Sequence, residues 1–199
     1  MQDAFFNDGS RRLQDRFETR ELADRIVERV VRAELSDDDR AFVERSSMFF
    51  LATADAHGRP DCSYKGGDPG FVRAIGPSTL VFPSYDGNGM FRSLGNLSVN
   101  PWVGMLFIDF ENPKRLRING RATLHQQHEW LDRYPEADLL VEVVVADVFP
   151  NCPRYIHKLE RREASPYVPR AGCETPRPAW KDSKAFRDVL RPRDRQPAE

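Results

Sequence analysis

Along the first 45 residues the apolar positions recur at helical spacing. Leu22, Ile26 and Val30 are four apart, with Ala23, Val27 and Val31 beside them and Arg and Glu opposite. That stripe predicts an amphipathic helix resting on a barrel or on a second subunit. Its charges alternate in sign, unlike a basic membrane-surface helix. A second helix is expected from Ser36, a suitable N-cap, with Asp37 to Asp39 in the first turn where acids suit the helix dipole.

From Ser47 the period changes. "MFFLAT", "DCSYK", "FVRAI", "LVFPS", "VGMLFIDF", "RLRINGRATL" and "LLVEVVVADVF" read as strands, separated by the turn-forming "AHGRP", "GGDPG", "GPST" and "ENPK". Six or seven short strands on hairpin-length turns predict a mostly β, antiparallel barrel with flanking helices, not a parallel sheet. Helical interruptions are expected at "GNGMFRSLGNLSVN" and "QQHEWLDRY". Beyond about Leu159 the chain turns rich in Pro, Arg and Asp. The last eight or so residues are expected to be disordered, while Tyr167, Trp180, Phe186 and Leu190 draw the preceding part against the body. The organisation is therefore an N-terminal helical segment (1–45), a barrel domain (46–160) and a Pro/Arg-rich C-terminal extension (161–199).

Composition narrows the function classes. The 199 residues carry 30 basic and 31 acidic side chains, a net charge of −1, which argues against a dedicated nucleic-acid binder. No apolar run reaches the ~18 residues of a membrane helix, and the N-terminus does not read as a secretory signal, so no membrane partner and a cytoplasmic location are expected. Cys62, Cys152 and Cys173 lie far apart without CxxC spacing, and His125 and His128 have no evident third ligand nearby, so no metal is expected.

Candidate chemistry gathers where the glycines do. Seven of the twelve fall between Ser63 and Leu97. Either this is a loop-rich connection or backbone must press against a ligand there. Gly87 and Gly89 precede a short helix expected to start near Asn88 to Phe91, whose free N–H groups would suit a phosphate, with Arg92 and Ser93 adding a guanidinium and a hydroxyl. Ser63 and Lys65 share one strand face and end at Gly66-Gly67. In "RLRINGRATL", Leu116, Ile118, Ala122 and Leu124 alternate with Arg115, Arg117, Asn119 and Arg121. Those arginines either form a solvated edge balanced by acids such as Asp109 and Glu111, or face an anion or a partner subunit. No nucleophile with its base can be assembled, so an enzyme built on this chain needs a cofactor for its chemistry.

The stretches "SSMFFLATADAHGRPDCSYKGGDPGFV", "TLVFPSYDGNGMFRSLGNLSVNPWVGMLFIDF" and "RLRINGRATL" together resemble the pyridoxamine 5′-phosphate oxidase-like, FMN-binding split-barrel family. The resemblance runs from about Ser46 to Asn151. It implies a six-stranded antiparallel split barrel forming a homodimer, with FMN at the subunit interface. It also implies cofactor contacts from Ser63, Lys65, Ser84, Arg92, Ser93 and Arg115, with serine at 93 replacing the second member of a basic pair. The C-terminus carries "RYIHKL" and "PAWKDS" where true pyridoxamine phosphate oxidases have a tryptophan-rich segment and an Arg-x-His pair, so a different small-molecule substrate is expected. The implied activity is hydride or electron transfer through bound flavin, with substrate and catalytic residues unassigned. The alternatives are a split barrel holding deazaflavin F420 or haem, with His157 the nameable axial ligand, or a non-catalytic, stress-related FMN-binding protein.

Overall fold

The computed structural model describes residues 5–195. Helix α1 (Asp8–Arg16) is capped by Asn7, whose side chain accepts from the Ser10 N–H, and it pairs with α2 (Arg20–Val30) through Arg11 and Asp24 at 2.6 Å. The predicted stripe on α2 is only partly covered. Val27 is buried, while Leu22 and Ile26 stay 60% and 47% exposed. Helix α3 (Asp37–Arg45) opens on the anticipated cap: the Ser36 hydroxyl accepts from the Asp39 N–H, and the Asp39 carboxylate accepts from the Ser36 N–H.

The strands are β1 (Met48–Ala54), β2 (Pro60–Gly66), β3 (Arg73–Gly76), β4 (Thr79–Ser84), β5 (Trp102–Asp109), β6 (Lys114–His125) and β7 (Leu139–Pro150), with helix α4 (Arg92–Val99) between β4 and β5. They form one antiparallel sheet in the order β2-β1-β5-β6-β7-β4-β3. The sheet curls but does not close, since β2 and β3 each have a single strand neighbour. This is the split barrel. It has seven strands rather than six because the short β3 folds back on β4 as a hairpin.

Alternation decides which face is the interior. Phe49 and Leu51 on β1, Met105 and Phe107 on β5, Leu116 and Ile118 on β6, and Val141 and Val143 on β7 all point into one buried cluster. At its centre the Phe49 ring meets Phe71, Phe82 and Phe107 with centroids 5.0 to 5.9 Å apart. Register shifts between Asn119 and Gly120, where β7 carries Ala146 as the extra residue. A Cβ at 120 would run into the Val144 carbonyl oxygen and stand 2.9 Å from Val143 Cγ1, so the close strand approach needs glycine.

Two expectations change. "QQHEWLDRY" makes only the 3-10 turn Leu131–Arg133, because the His128 Nδ1 takes the Trp130 N–H and Pro135 follows. The C-terminal segment is irregular, yet it is fastened to the rest of the fold as far as Arg193 and Asp194, inside the stretch expected to be disordered. Pro192–Asp194 form a 3-10 turn, and residues 196–199 lie outside the described residues. No described helix is long and apolar enough to cross a membrane.

Candidate functional site

Two local decisions create the cleft. On β2, an edge strand, Asp61, Ser63 and Lys65 fall on one face, and the strand breaks at Gly66-Gly67. After β4 the chain runs through Tyr85-Asp86-Gly87-Asn88-Gly89 before α4 begins. Gly89 takes a φ of +78°, and Phe91, the N-cap, sits at a φ of 50°, a left-handed conformation uncommon for a bulky residue. Phe91 supplies no side-chain cap, so the first N–H groups of α4 receive none. The helix is pinned from its other side. Leu94 and Leu97 are buried, Asn96 donates to the Thr53 hydroxyl at 3.0 Å, and the Ser93 hydroxyl lies 3.0 Å from that of Ser63.

The result is a cavity of about 370 Å³ with Ser63, Lys65, Ser84, Arg92 and Ser93 in its walls, together with Asp61, Tyr85, Asp138 and Arg191. A second lobe of about 500 Å³ continues past Lys65, Ser84 and Tyr85, with Phe71 and Phe82 on the barrel side and Arg161, Ser165 and Tyr167 of the C-terminal segment opposite. Burial pushes the Lys65 ammonium below its ordinary value, and the charge of Asp61 only partly offsets that. Among the described residues no carboxylate stands within ion-pair distance of it. Burial and the Asp68 charge push the Tyr85 phenol up to about 12, so it enters the cleft as a neutral donor.

The cleft's outer wall is a strap held by ion pairs. Arg170 grips Asp68 with both arms at 2.6 and 2.7 Å. Lys181, 4% exposed, reaches Asp86 at 2.6 Å and Asp194 at 2.8 Å, while Arg191 contacts Asp86, Asp138 and Asp194. Arg193 adds a contact to Asp138 at 2.6 Å. The guanidinium of Arg170 lowers the Asp68 carboxyl, and that of Arg193 lowers Asp138. Burial raises Asp194, but Lys181 and Arg191 outweigh it and its net direction is down. Depressed carboxyls contribute stability that is present above the ordinary value of 3.8 and lost as pH falls through the lower folded values. Protection of strap amides against hydrogen exchange should therefore drop below that pH while β1 and β5 stay protected. Strap protection that is level down to pH 3 would count against an ionic anchor.

Residues 35–155 match the family described as pyridoxamine 5′-phosphate oxidase, more than half of the chain. The chain belongs to that family. No curated protein matches it. Among solved structures it is similar to HupZ of Group A Streptococcus (18% identity, 58% of this chain and 93% of that one, TM-score 0.47). It is also similar to an FMN-binding protein of Syntrophomonas wolfei (15%, 70% and 95%, 0.44). A third likeness is to HutZ of Vibrio cholerae, described as a haem storage protein (21%, 58% and 94%, 0.43). These likenesses are too distant to transfer a ligand.

Within this pyridoxamine 5′-phosphate oxidase family member, five of the six residues expected to hold a cofactor share one cavity. Arg115 does not line it. That side chain lies on the outer sheet face opposite Ile108, and its Nε is buried without a hydrogen-bond partner. The acids Asp109 and Glu111 do not balance the β6 arginines: Asp109 accepts instead from the turn N–H groups of Glu111 and Asn112. His157 is exposed and lines neither lobe. His125 and His128 converge on Glu142 at 3.6 and 3.5 Å, although no set of three side chains among the described residues is gathered to hold a metal.

Sequence reasoning missed Asp61, although strand alternation placed it with Ser63 and Lys65. It also missed Tyr85, Asp138 and Arg191. For Arg191 no local signal existed, because its partner Asp86 is 105 residues away.

Proposed function

We propose that this chain is an FMN-binding oxidoreductase acting on a small-molecule substrate as a homodimer. One observation carries the reading. Ser63, Lys65, Ser84, Arg92 and Ser93, from two strands and a helix start, open on one cavity beside the uncapped end of α4. The residues fit the group: Lys65 is a desolvated cation with no carboxylate in ion-pair distance among the described residues, and a Cβ at Gly87 or Gly89 would meet nothing within 4 Å, leaving backbone free to face a ligand.

Bound flavin would supply the hydride and electron transfer for which the chain has no residues of its own. Lys65, Arg92 and the hydroxyls of Ser63 and Ser93 would hold its phosphate. Ser84 and the neutral Tyr85 would orient the remainder by hydrogen bonds. The second lobe, between Phe71 and Tyr167, would receive the substrate, with the strap excluding water.

The dimer reading draws on the outer sheet face. Tyr64, Trp102 and Val144 are 62%, 50% and 49% exposed there, beside Arg117 and Arg121, for which no carboxylate stands within ion-pair distance among the described residues. An apolar face of this kind favours burial against a second copy, and Arg115 belongs to the same face.

The absorption spectrum of protein purified without added cofactor tests the proposal. Flavin bands support it, an intense Soret band points to haem, and a deazaflavin spectrum points to F420. A flavin that nicotinamide nucleotides never reduce points to a binding protein without turnover. Arg92→Ala should weaken FMN binding at least tenfold, about 1.4 kcal/mol, with an unchanged circular dichroism spectrum. Unaltered FMN affinity in that variant would remove Arg92 from the phosphate site.

A further inference from the structure

The polar groups assigned to the phosphate already face a carboxylate. Asp61 accepts from the Ser93 hydroxyl at 3.4 Å, stands 3.8 Å from the Arg92 guanidinium, and acts on the Lys65 ammonium through its charge. Its side chain is 23% exposed, so water screens it only in part. It is not a distant surface acid. It shares a strand face with Ser63 and Lys65 and lines the same cavity.

The other cations of this lobe are also committed. Arg191 is occupied by Asp86, Asp138 and Asp194, and Arg92 faces Asp61. Lys65 alone lacks a carboxylate within ion-pair distance among the described residues. A phosphate dianion placed here meets one uncommitted cation, Lys65, and two carboxylates, Asp61 and the Asp138 already paired with Arg191 and Arg193. Asp61, with 23% of its side chain exposed, repels such a dianion with less screening than a fully exposed carboxylate would have.

We propose that Asp61 is a charge-selecting residue of the cleft, setting how strongly it distinguishes a phosphorylated ligand from the same ligand without its phosphate. This rests on the reading of the cavity as a flavin site. Asp61 pre-neutralises Arg92 and repels a dianion, while its carboxylate accepts hydrogen bonds from hydroxyls as readily as from Ser93. The wild-type cleft therefore gains less from a phosphate than its count of basic residues suggests. Removing the charge while keeping the shape leaves Arg92 and Lys65 free for the anion.

The test compares the full-length chain with Asp61→Asn, titrating each with FMN, riboflavin and inorganic phosphate by calorimetry. In the variant, FMN affinity should rise at least tenfold, about 1.4 kcal/mol, with riboflavin within threefold of wild type and phosphate binding strengthened in parallel. The FMN-to-riboflavin ratio is the readout that a merely structural role for Asp61 would not raise. A ratio that is unchanged or falls overturns the proposal while leaving the flavin site standing. Tighter phosphate in the variant, with neither flavin bound by either protein, supports the charge role and rejects the flavin reading. Two proteins that bind none of the three ligands refute both.

Discussion

Replacing Lys181 with methionine should release the strap from the barrel without unfolding the barrel. Lys181 is 4% exposed, and its ammonium reaches both Asp86 and Asp194, at 2.6 and 2.8 Å, sharing them with Arg191. Burial alone would depress its pKa, but the two carboxylates raise it, so the amine stays charged through the neutral range. A methionine has nearly the same volume and no charge. It leaves Asp194, with 14% of its side chain exposed, and the more open Asp86 to Arg191 alone.

Removing one partner of a buried ion pair costs about 3–5 kcal/mol. The lower end applies here because Asp86 is one-third exposed and can recruit water. A change of about 3 kcal/mol raises the open population roughly a hundredfold. Limited trypsin digestion reads it directly, since Arg170 and Arg187 lie within the strap. Cleavage there should accelerate by about that factor at an unchanged melting temperature for the sheet. Equal digestion rates in the two proteins would mean that apolar contacts, such as buried Leu190, hold the strap instead.

The second large effect is expected at Phe49. Its ring is fully buried and touches three other rings, from Phe71 before β3, Phe82 on β4 and Phe107 on β5. Those rings come from both halves of the split sheet, so Phe49 joins the β2-β1-β5 side to the β4-β3 side. Phe49→Ala deletes a large side chain on which three other rings converge in the buried core. The expected loss is about 3–5 kcal/mol. With a urea slope of about 1–3 kcal/mol per molar, the unfolding midpoint should fall by about 1–5 M. A shift under about 0.5 M would show that the cluster relaxes into the space, and the proposed junction between the two halves would fail.

Much of the fold was legible because its signals are local. The seven strands and the α3 cap follow from alternation, turn residues and a serine ahead of first-turn acids, all read over a few positions. Part of the site was legible for the same reason. Ser63 and Lys65 are two apart on a strand, and Arg92 and Ser93 follow a glycine pair. The helix begins at Arg92, later than anticipated, because Gly89 and Phe91 both take positive φ on the approach.

What one strand contributes to a face, and where a capped helix such as α3 starts, are determined by the amino-acid order alone, since neighbouring residues set backbone geometry and side-chain direction. Which distant surfaces meet was decided only in three dimensions. Asp86 and Arg191, Asp68 and Arg170, and Asp61 and Ser93 are joined across 30 to more than 100 residues. No periodicity encodes such a pairing, because a charge reads the same in a sequence whether it faces water or a partner. The Pro/Arg/Asp-rich tail looked like a segment unable to bury itself. Its apolar residues were expected to draw it against the barrel, but folding also put its cations opposite the acids Asp68, Asp86 and Asp138, and no local pattern shows those ion pairs.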